Sequence, residues 1–203
     1  MTTSVLYFKN DSGVTDLRKF IEYTKNRKDP ITFGSAGVGS MSHIACLLLF
    51  DDLKVEALHV PYKGVAPAMN DLLAGQIDAM CDFPTIGAPM VRAGRIKALA
   101  ALSSERQPQL PAVPTVAETG AARTTFVAWS ALYVPAKTSD EIVAKLQRSV
   151  QEALRDSGMQ AQSIDLGVRL PSSEEATPAA VNERTAKDVQ ILVPLLKAKT
   201  TPE

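Results

Sequence analysis

Small residues and polar hydrogens are concentrated at one place in the chain, Gly34-Ser35-Ala36-Gly37-Val38-Gly39-Ser40-Met41-Ser42-His43. A short β-type run, Ile31-Thr32-Phe33, leads into it, and an apolar helix-like segment reaching Phe50 follows with no linker. Such a turn lets backbone approach a ligand and aims the free N–H groups of a helix start at an anion. From Gly34 the spacing is that of a P-loop, but Ser40 stands where the phosphate-binding lysine belongs and Met41 where the magnesium hydroxyl belongs. Nucleotide hydrolysis is therefore not expected. A dinucleotide fingerprint fails at Ser42, and a nucleophile elbow fails because Phe33 lies two residues before Ser35. What remains is reversible capture of a carboxylate, with the Ser35, Ser40 and Ser42 hydroxyls as extra donors. Each helix-terminus contact is worth about 0.3–1 kcal/mol. A plain glycine turn with a serine cap is the competing reading of the loop alone.

No catalytic set accompanies the loop. His43 falls in the first turn of the following helix and reads as a cap or packed side chain, and His59 is expected to have no chemical role. Cys46 and Cys81 are read as buried free thiols. No residues have metal-ligand spacing, and no cofactor motif is present. The expectation is a binding protein without catalytic residues, not an enzyme.

Composition narrows the partners. The 203 residues carry 22 Lys+Arg and 22 Asp+Glu, so no net field draws the chain to nucleic acid or an anionic membrane. Apolar residues make up 45%, enough for a buried core. The longest apolar run, Ile44 to Phe50, is far short of a membrane span. The start, MTTSVLYFKNDSG, lacks the basic and apolar regions of a signal peptide.

The elements that must position the loop alternate. Leu17, Phe20, Ile21 and Thr24 predict a helix over about 14–28, ended by Asp29-Pro30. HVPY (59–62) reads as a strand and 66–74 as a helix stopped by Gly75. QIDAM (76–80) reads as a strand, 87–93 as a helix, and RIKALAAL (95–102) as a strand. Thr115 and Glu118 form a capping box, as do Thr138 and Glu141. FVAWSALYVP (126–135), apolar on both faces, is expected as a central strand. Ile142, Val143, Leu146, Val150 and Leu154 form a helical stripe, and a last helix over 178–197 is expected to kink or break at Pro194. The pattern is α/β.

Taken together, GSAGVGSMSH, HVPYKGVAPAMNDLLAGQIDAMCD, AGRIKALA, RQPQLPAVPTVAETG and YVPAKTSDEIVAKL resemble the Bug-type solute-binding proteins of tripartite tricarboxylate transporters. The resemblance runs through nearly the whole chain and weakens after Arg169. It implies a type II periplasmic-binding-protein fold, whose two lobes close on a small organic carboxylate and deliver it to membrane permease subunits. It implies a periplasmic location. By position it assigns Ser35, Gly37, Gly39, Ser40 and His43 to the anion loop, and Tyr62, Lys63 and Gly64 to a turn lining the cleft. Lys63 is read as a solvated turn residue and Trp129 as hinge or core packing. Asp82 is read either as an acceptor for a ligand donor or bridging water, or as a helix cap before Pro84.

Against that family pattern, the export signal and the first-lobe strand, P-G-G-x-x-D loop and helix have no counterpart here. The expected architecture is one complete lobe (14–126) plus a remnant of the other (1–13 and 127–203). A single lobe cannot enclose a ligand, so weak or absent binding is expected, with an exposed lobe-one face available for self-association. The alternative is a sensor or interaction module derived from a binding-protein lobe and detached from transport.

Overall fold

Three short apolar runs, VLYFK, ITFGS and AMCD, make the inner strands of a five-stranded sheet in this computed structural model. The structure describes residues 1–122 and 124–200, with side chains to Lys197. It divides into two units, residues 2–128 and Met1 with residues 129–203.

In the first unit, β1 (Thr2–Thr3) and β7 (Val127–Ala128) form a small antiparallel pair. The main sheet has the order β4 (Ala57–Pro61), β3 (Ile31–Ser35), β5 (Ala79–Asp82), β2 (Val5–Lys9), β6 (Ile96–Ala101). Strand β3 is parallel to β4 and β5, whereas β2 is antiparallel to β5 and β6. The carboxyl ends of β3, β4, β5 and β6 therefore share one edge. After α1 (Leu17–Lys25), the helices α2 (Met41–Leu53), α3 (Val65–Leu73) and α4 (Pro84–Arg92) each follow a strand that ends at that edge. Residues 2–9, expected with the C-terminal remnant, lie inside this unit because β2 completes its sheet.

Side chains alternate across a strand, so each face has its own core. On one face Phe8 meets Phe20 of α1 edge-on at 5.3 Å, and Phe33 meets Phe50 of α2 at 5.4 Å. On the other, Val5, Tyr7 and Met80 pack with Ala68, Met69 and Leu72 of α3 and Ala88 of α4. Here Gly87 is required: a Cβ would overlap the Tyr7 ring.

Cys46 of α2 and Cys81 of β5 are joined as a disulfide, with Cα atoms 5.4 Å apart across 35 residues of sequence. This corrects the expectation of free thiols, since the packing of α2 over β5 brings the two residues together. At the opposite end of β5, Asp78 is buried and accepts from the Thr32 amide at 2.9 Å while pairing with Lys9 at 2.9 Å.

Most expected elements form, with shorter bounds. Asp16 caps α1 by accepting from the Lys19 amide at 2.9 Å, so the helix starts after residue 14. The Thr115–Glu118 box closes reciprocally, at 2.7 and 3.1 Å. The stretch 126–135 is corrected: only Val127–Ala128 is strand, it pairs with β1 alone, and Leu132 is 82% exposed.

The second unit holds α5 (Asp140–Leu154), α6 (Ser157–Asp165) and α7 (Pro178–Thr200). Ser139 rather than Thr138 stands at the N-cap position of α5 and makes no side-chain capping hydrogen bond, α6 has no counterpart in the sequence pattern, and α7 continues past Pro194. Trp129 Nε1 donates to Asp188 at 2.6 Å, and Arg184 lies over the indole at 5.6 Å. Among the described residues, none from Trp129 onward is buried.

Asp78 provides a stability test. Burial disfavours its charge, but the Thr32 amide and Lys9 outweigh this and hold its carboxyl below the usual 3.8. Its contribution is therefore complete above pH 3.8 and is lost as pH falls through the depressed value. Asp78→Ala, which leaves Lys9 unpaired, is expected to cost about 3 kcal/mol at neutral pH. Urea midpoints of the two proteins should converge in acid; a gap that persists there would show that the charge is not the cause.

Candidate functional site

The glycine–serine loop leaves β3 at Ser35 and enters α2 at Met41, on the shared carboxyl edge of the sheet. Gly37 and Gly39 have φ of +125° and +76°, which L side chains rarely adopt. Most of the loop's donors are satisfied internally. The Ala36 amide donates to Ser42 Oγ at 3.0 Å, Gly37 to Ser35 Oγ at 3.1 Å and Gly39 to His43 Nδ1 at 3.1 Å. Ser40 caps α2, its Oγ accepting from the His43 amide at 3.3 Å.

Three amides are left over. Those of Val38, Met41 and Ser42 have no acceptor among the described residues, the last two as first-turn donors of α2. Val38 and Met41 are 66% and 38% exposed, whereas Ser35, Ser42 and His43 are buried. The loop thus offers an anion Val38, Met41 and Ser42 amides and the half-buried Ser40, with Ser35 and His43 behind them.

Behind the loop lies a contact with no signature in residue spacing. Ser35 Oγ and His59 Nε2 are 2.6 Å apart, and the His59 ring stacks on His43 at 3.8 Å. Strand register alone accounts for it, because His59 lies opposite Phe33 in the β3–β4 pair. Burial pushes His43 below the usual 6.5; burial, then the neighbouring His43, pushes His59 down to about 4. Both rings are neutral at pH 7 and bring no charge to the loop. Ser35 and His59 have the spacing of a nucleophile and base. Yet Ser35 is fully buried, and among the described residues no carboxylate touches His59.

The other candidates approach from neighbouring strand ends. Tyr62 follows β4, donates its amide to the Ser35 carbonyl at 3.0 Å and its hydroxyl to Asp71 Oδ2 at 2.7 Å. Burial and that carboxylate push the phenol up to about 12, so it stays neutral. Lys63 is exposed, and Gly64, at φ +114°, opens α3.

Asp82 ends β5. Its Oδ1 accepts from the Phe83 amide at 2.7 Å, which ties it to the start of α4, while its buried Oδ2 has no partner. Burial, opposed by the Phe83 amide, pushes this carboxyl up to about 6. The hydroxyl of Ser4 is also buried without a partner, one residue before Val5, which lies opposite Asp82 in the sheet. Nothing in the sequence pattern singled out Ser4. The anion loop and Tyr62 are thus joined by direct hydrogen bonds, whereas Asp82 belongs to the other face of the sheet, with Val5 and Tyr7. Among the described residues no cluster of His, Cys, Asp and Glu could hold a metal ion.

Known proteins resemble this chain in sequence and in fold. Residues 1–192 match the sequence profile of the tripartite tricarboxylate transporter family receptor, TctC. A UPF0065 protein from Pseudomonas sp. (strain P51) is 36% identical over 152 residues, covering 74% of this chain and 45% of that protein. One from Agrobacterium vitis is 35% identical over 176 residues, covering 87% and 51%. The chain spans about half the length of these relatives. Among solved structures, MatC from Rhodopseudomonas palustris with bound malate superposes with a TM-score of 0.84 at 33% identity, over 96% of this chain and 66% of that one. The periplasmic binding protein BugD gives 0.81 at 34%, over 97% and 67%. A second R. palustris protein, with adipate, gives 0.78 at 27%, over 93% and 64%. With this α/β fold and a profile match along almost its whole length, the chain belongs to the TctC, or Bug-type, receptors of tripartite tricarboxylate transporters.

Proposed function

We propose that the protein is an extracytoplasmic receptor that binds a small organic carboxylate, a di- or tricarboxylate or related acid, for the membrane permease subunits of a tripartite transporter. The observation that carries this reading is the set of unpaired amides at Val38, Met41 and Ser42. They sit where a helix starts, on the carboxyl edge of parallel strands, the usual ligand edge of α/β sheets. MatC is described with malate and a related protein with adipate, both dicarboxylates. The exported location agrees with the Cys46–Cys81 disulfide, a bond that persists in oxidising compartments.

Within this reading the site residues divide their work. Ser35, Gly37, Gly39 and His43 hold the loop's shape, while Ser40 and the free amides meet the carboxylate. Tyr62 and Gly64 form the adjoining wall. The unpaired Oδ2 of Asp82 accepts from a ligand hydroxyl or ammonium, directly or through a water. No residue is assigned a reaction.

The chain taken alone is, in this proposal, an impaired receptor. Enclosing a small ligand takes burial of roughly 70–90% of its surface, and one sheet edge cannot provide that. A micromolar complex needs about 8 kcal/mol net of the freedom lost on binding. The exposed apolar side chains of the second unit, Leu132, Ile142 and Ile164 among them, supply a surface for self-association.

Three outcomes are expected. In calorimetric titrations, malate binds this chain with Kd weaker than about 1 mM. A longer receptor carrying the additional segments of its relatives binds at least a hundredfold more tightly; equal affinities would overturn the claim of impairment. Sedimentation velocity shows concentration-dependent association, which Leu132→Ser with Ile142→Ser reduces; a strict monomer would remove the self-association claim.

Asp82 gives the third. A carboxyl raised to about 6 in the folded state makes stability fall as pH rises from 3.8 to about 6. Asp82→Asn should flatten that slope and stabilise the free protein by about 1–2 kcal/mol above it, the relieved desolvation less the cost of an unpaired amide. In the longer receptor the same change should erase any preference for malate over succinate. Unchanged discrimination would show that Asp82 does not read the ligand.

A further inference from the structure

We propose that His43 is a positioning residue for the carboxylate loop, holding its backbone only while its imidazole is neutral, with His59 stacked against it so that charge on the pair is opposed. The loop is then an acid-released latch. The argument starts from one hydrogen. The Gly39 amide donates to His43 Nδ1 at 3.1 Å, so that nitrogen must be unprotonated and the ring's proton must reside on Nε2. A second proton on His43 can enter only at Nδ1, where it faces the Gly39 N–H donor to donor. The bond is then lost, and with it the contact that seats the turn against α2.

His59 supports the same loop from the other side. Its Nε2 meets Ser35 Oγ at 2.6 Å, and Ser35 Oγ in turn accepts from the Gly37 amide at 3.1 Å. Ser35 Oγ also donates to the Gly37 carbonyl at 3.0 Å, so it grips Gly37 at both amide and carbonyl with His59 packed behind it, and of the two glycines with positive φ Gly39 is the one held directly by a histidine. Ring contact couples the pair: at 3.8 Å between centroids, a charge on either imidazole opposes a charge on the other. Both rings also stack on Phe33, at 4.9 Å for His59 and 6.0 Å for His43.

Among the described residues no other charge balances the pair. From β3 the facing groups are Phe33 and Ser35, and from α2 they are Ser40 and Ser42. The first charged side chains along α2 are Asp51 and Asp52, more than two turns beyond His43 at the far end of the helix. Lys63, after β4, is exposed. Burial holds both imidazoles below the ordinary 6.5, His59 further because of His43, so the neutral, loop-holding state prevails at neutral pH and is lost in acid. This sign is opposite to that of a histidine binding the carboxylate directly, which would hold ligand better when charged.

The latch rests on the carboxylate-loop reading for its purpose, but its test needs no ligand. Isotope-labelled protein is titrated from neutral pH to about 4 by NMR, following the imidazole carbons and the Gly37 and Gly39 amides. The Gly39 amide is expected to move with the His43 ring at a midpoint below 6.5. Its hydrogen exchange, corrected for intrinsic pH dependence, should accelerate in step. In His43→Gln, whose side-chain oxygen can accept without titrating, the Gly39 amide should stay still over the same range.

A Gly39 amide that remains protected while His43 titrates would overturn the latch, as would the same transition persisting in His43→Gln. The unmutated protein decides the question even if the variant does not fold. A latch that titrates as expected in a loop that fails to bind carboxylate would instead count against the function proposed above.

Discussion

Alternation along one four-residue strand governs both the core and the site. In β5, Ala79 and Cys81 point to the face covered by α1 and α2, and Met80 and Asp82 to the face covered by α3 and α4. Cys81 can therefore meet Cys46 of α2, while Met80 packs under Leu72 of α3. The same parity separates the two halves of the candidate site. Ser35, opposite Pro61 in β4, shares the α2 face with His59, whereas Asp82 shares its face with Val5 and Tyr7. A one-residue slip of β5 would put a charged carboxyl against α2 and a cysteine against α3, so the register is strongly specified.

Hydrogen-bond accounting then decides what the edge can do. Buried backbone donors must find acceptors, and a glycine loop without repeating structure has few. This one draws them from its own serines and from His43. The result is a preset shape rather than an adaptable one, and a small remainder of amides without an acceptor among the described residues. The same accounting isolates Asp82: one oxygen is satisfied by its neighbour's amide and the other is not, and burial has already raised its pKa. Polar groups left in that state cost stability.

Much of this was legible in the residues themselves. The strand–loop–helix from Ile31 to Phe50, the αβ units closed by Gly75 and Gly94, and the reciprocal Thr115–Glu118 cap all follow from local rules. What local rules could not reach was pairing at a distance. The disulfide depends on where α2 lands, and the His59–Ser35 contact depends on β3–β4 register; neither has a signature in spacing along the chain. The run from Phe126 to Pro135 misled for a related reason: apolar composition on both faces predicts burial but cannot say that only two residues find a strand to pair with.

The second unit sharpens that last point. Its α5 stripe of Ile142, Val143, Leu146, Val150 and Leu154 has the spacing of a helix with a core to face, yet Ile142 is 52% and Leu146 44% exposed. An amphipathic stripe records a packing requirement without identifying what meets it. The first unit meets the requirement internally, through sheet faces closed by helices on both sides. In the second, the Trp129–Asp188 hydrogen bond and the Arg184 stack supply contacts that are polar and partly solvated, and such contacts are worth little beside buried apolar area. Local stability should therefore fall steeply after Ala128. The glycine–serine loop belongs to the first unit, whose sheet faces are closed by helices.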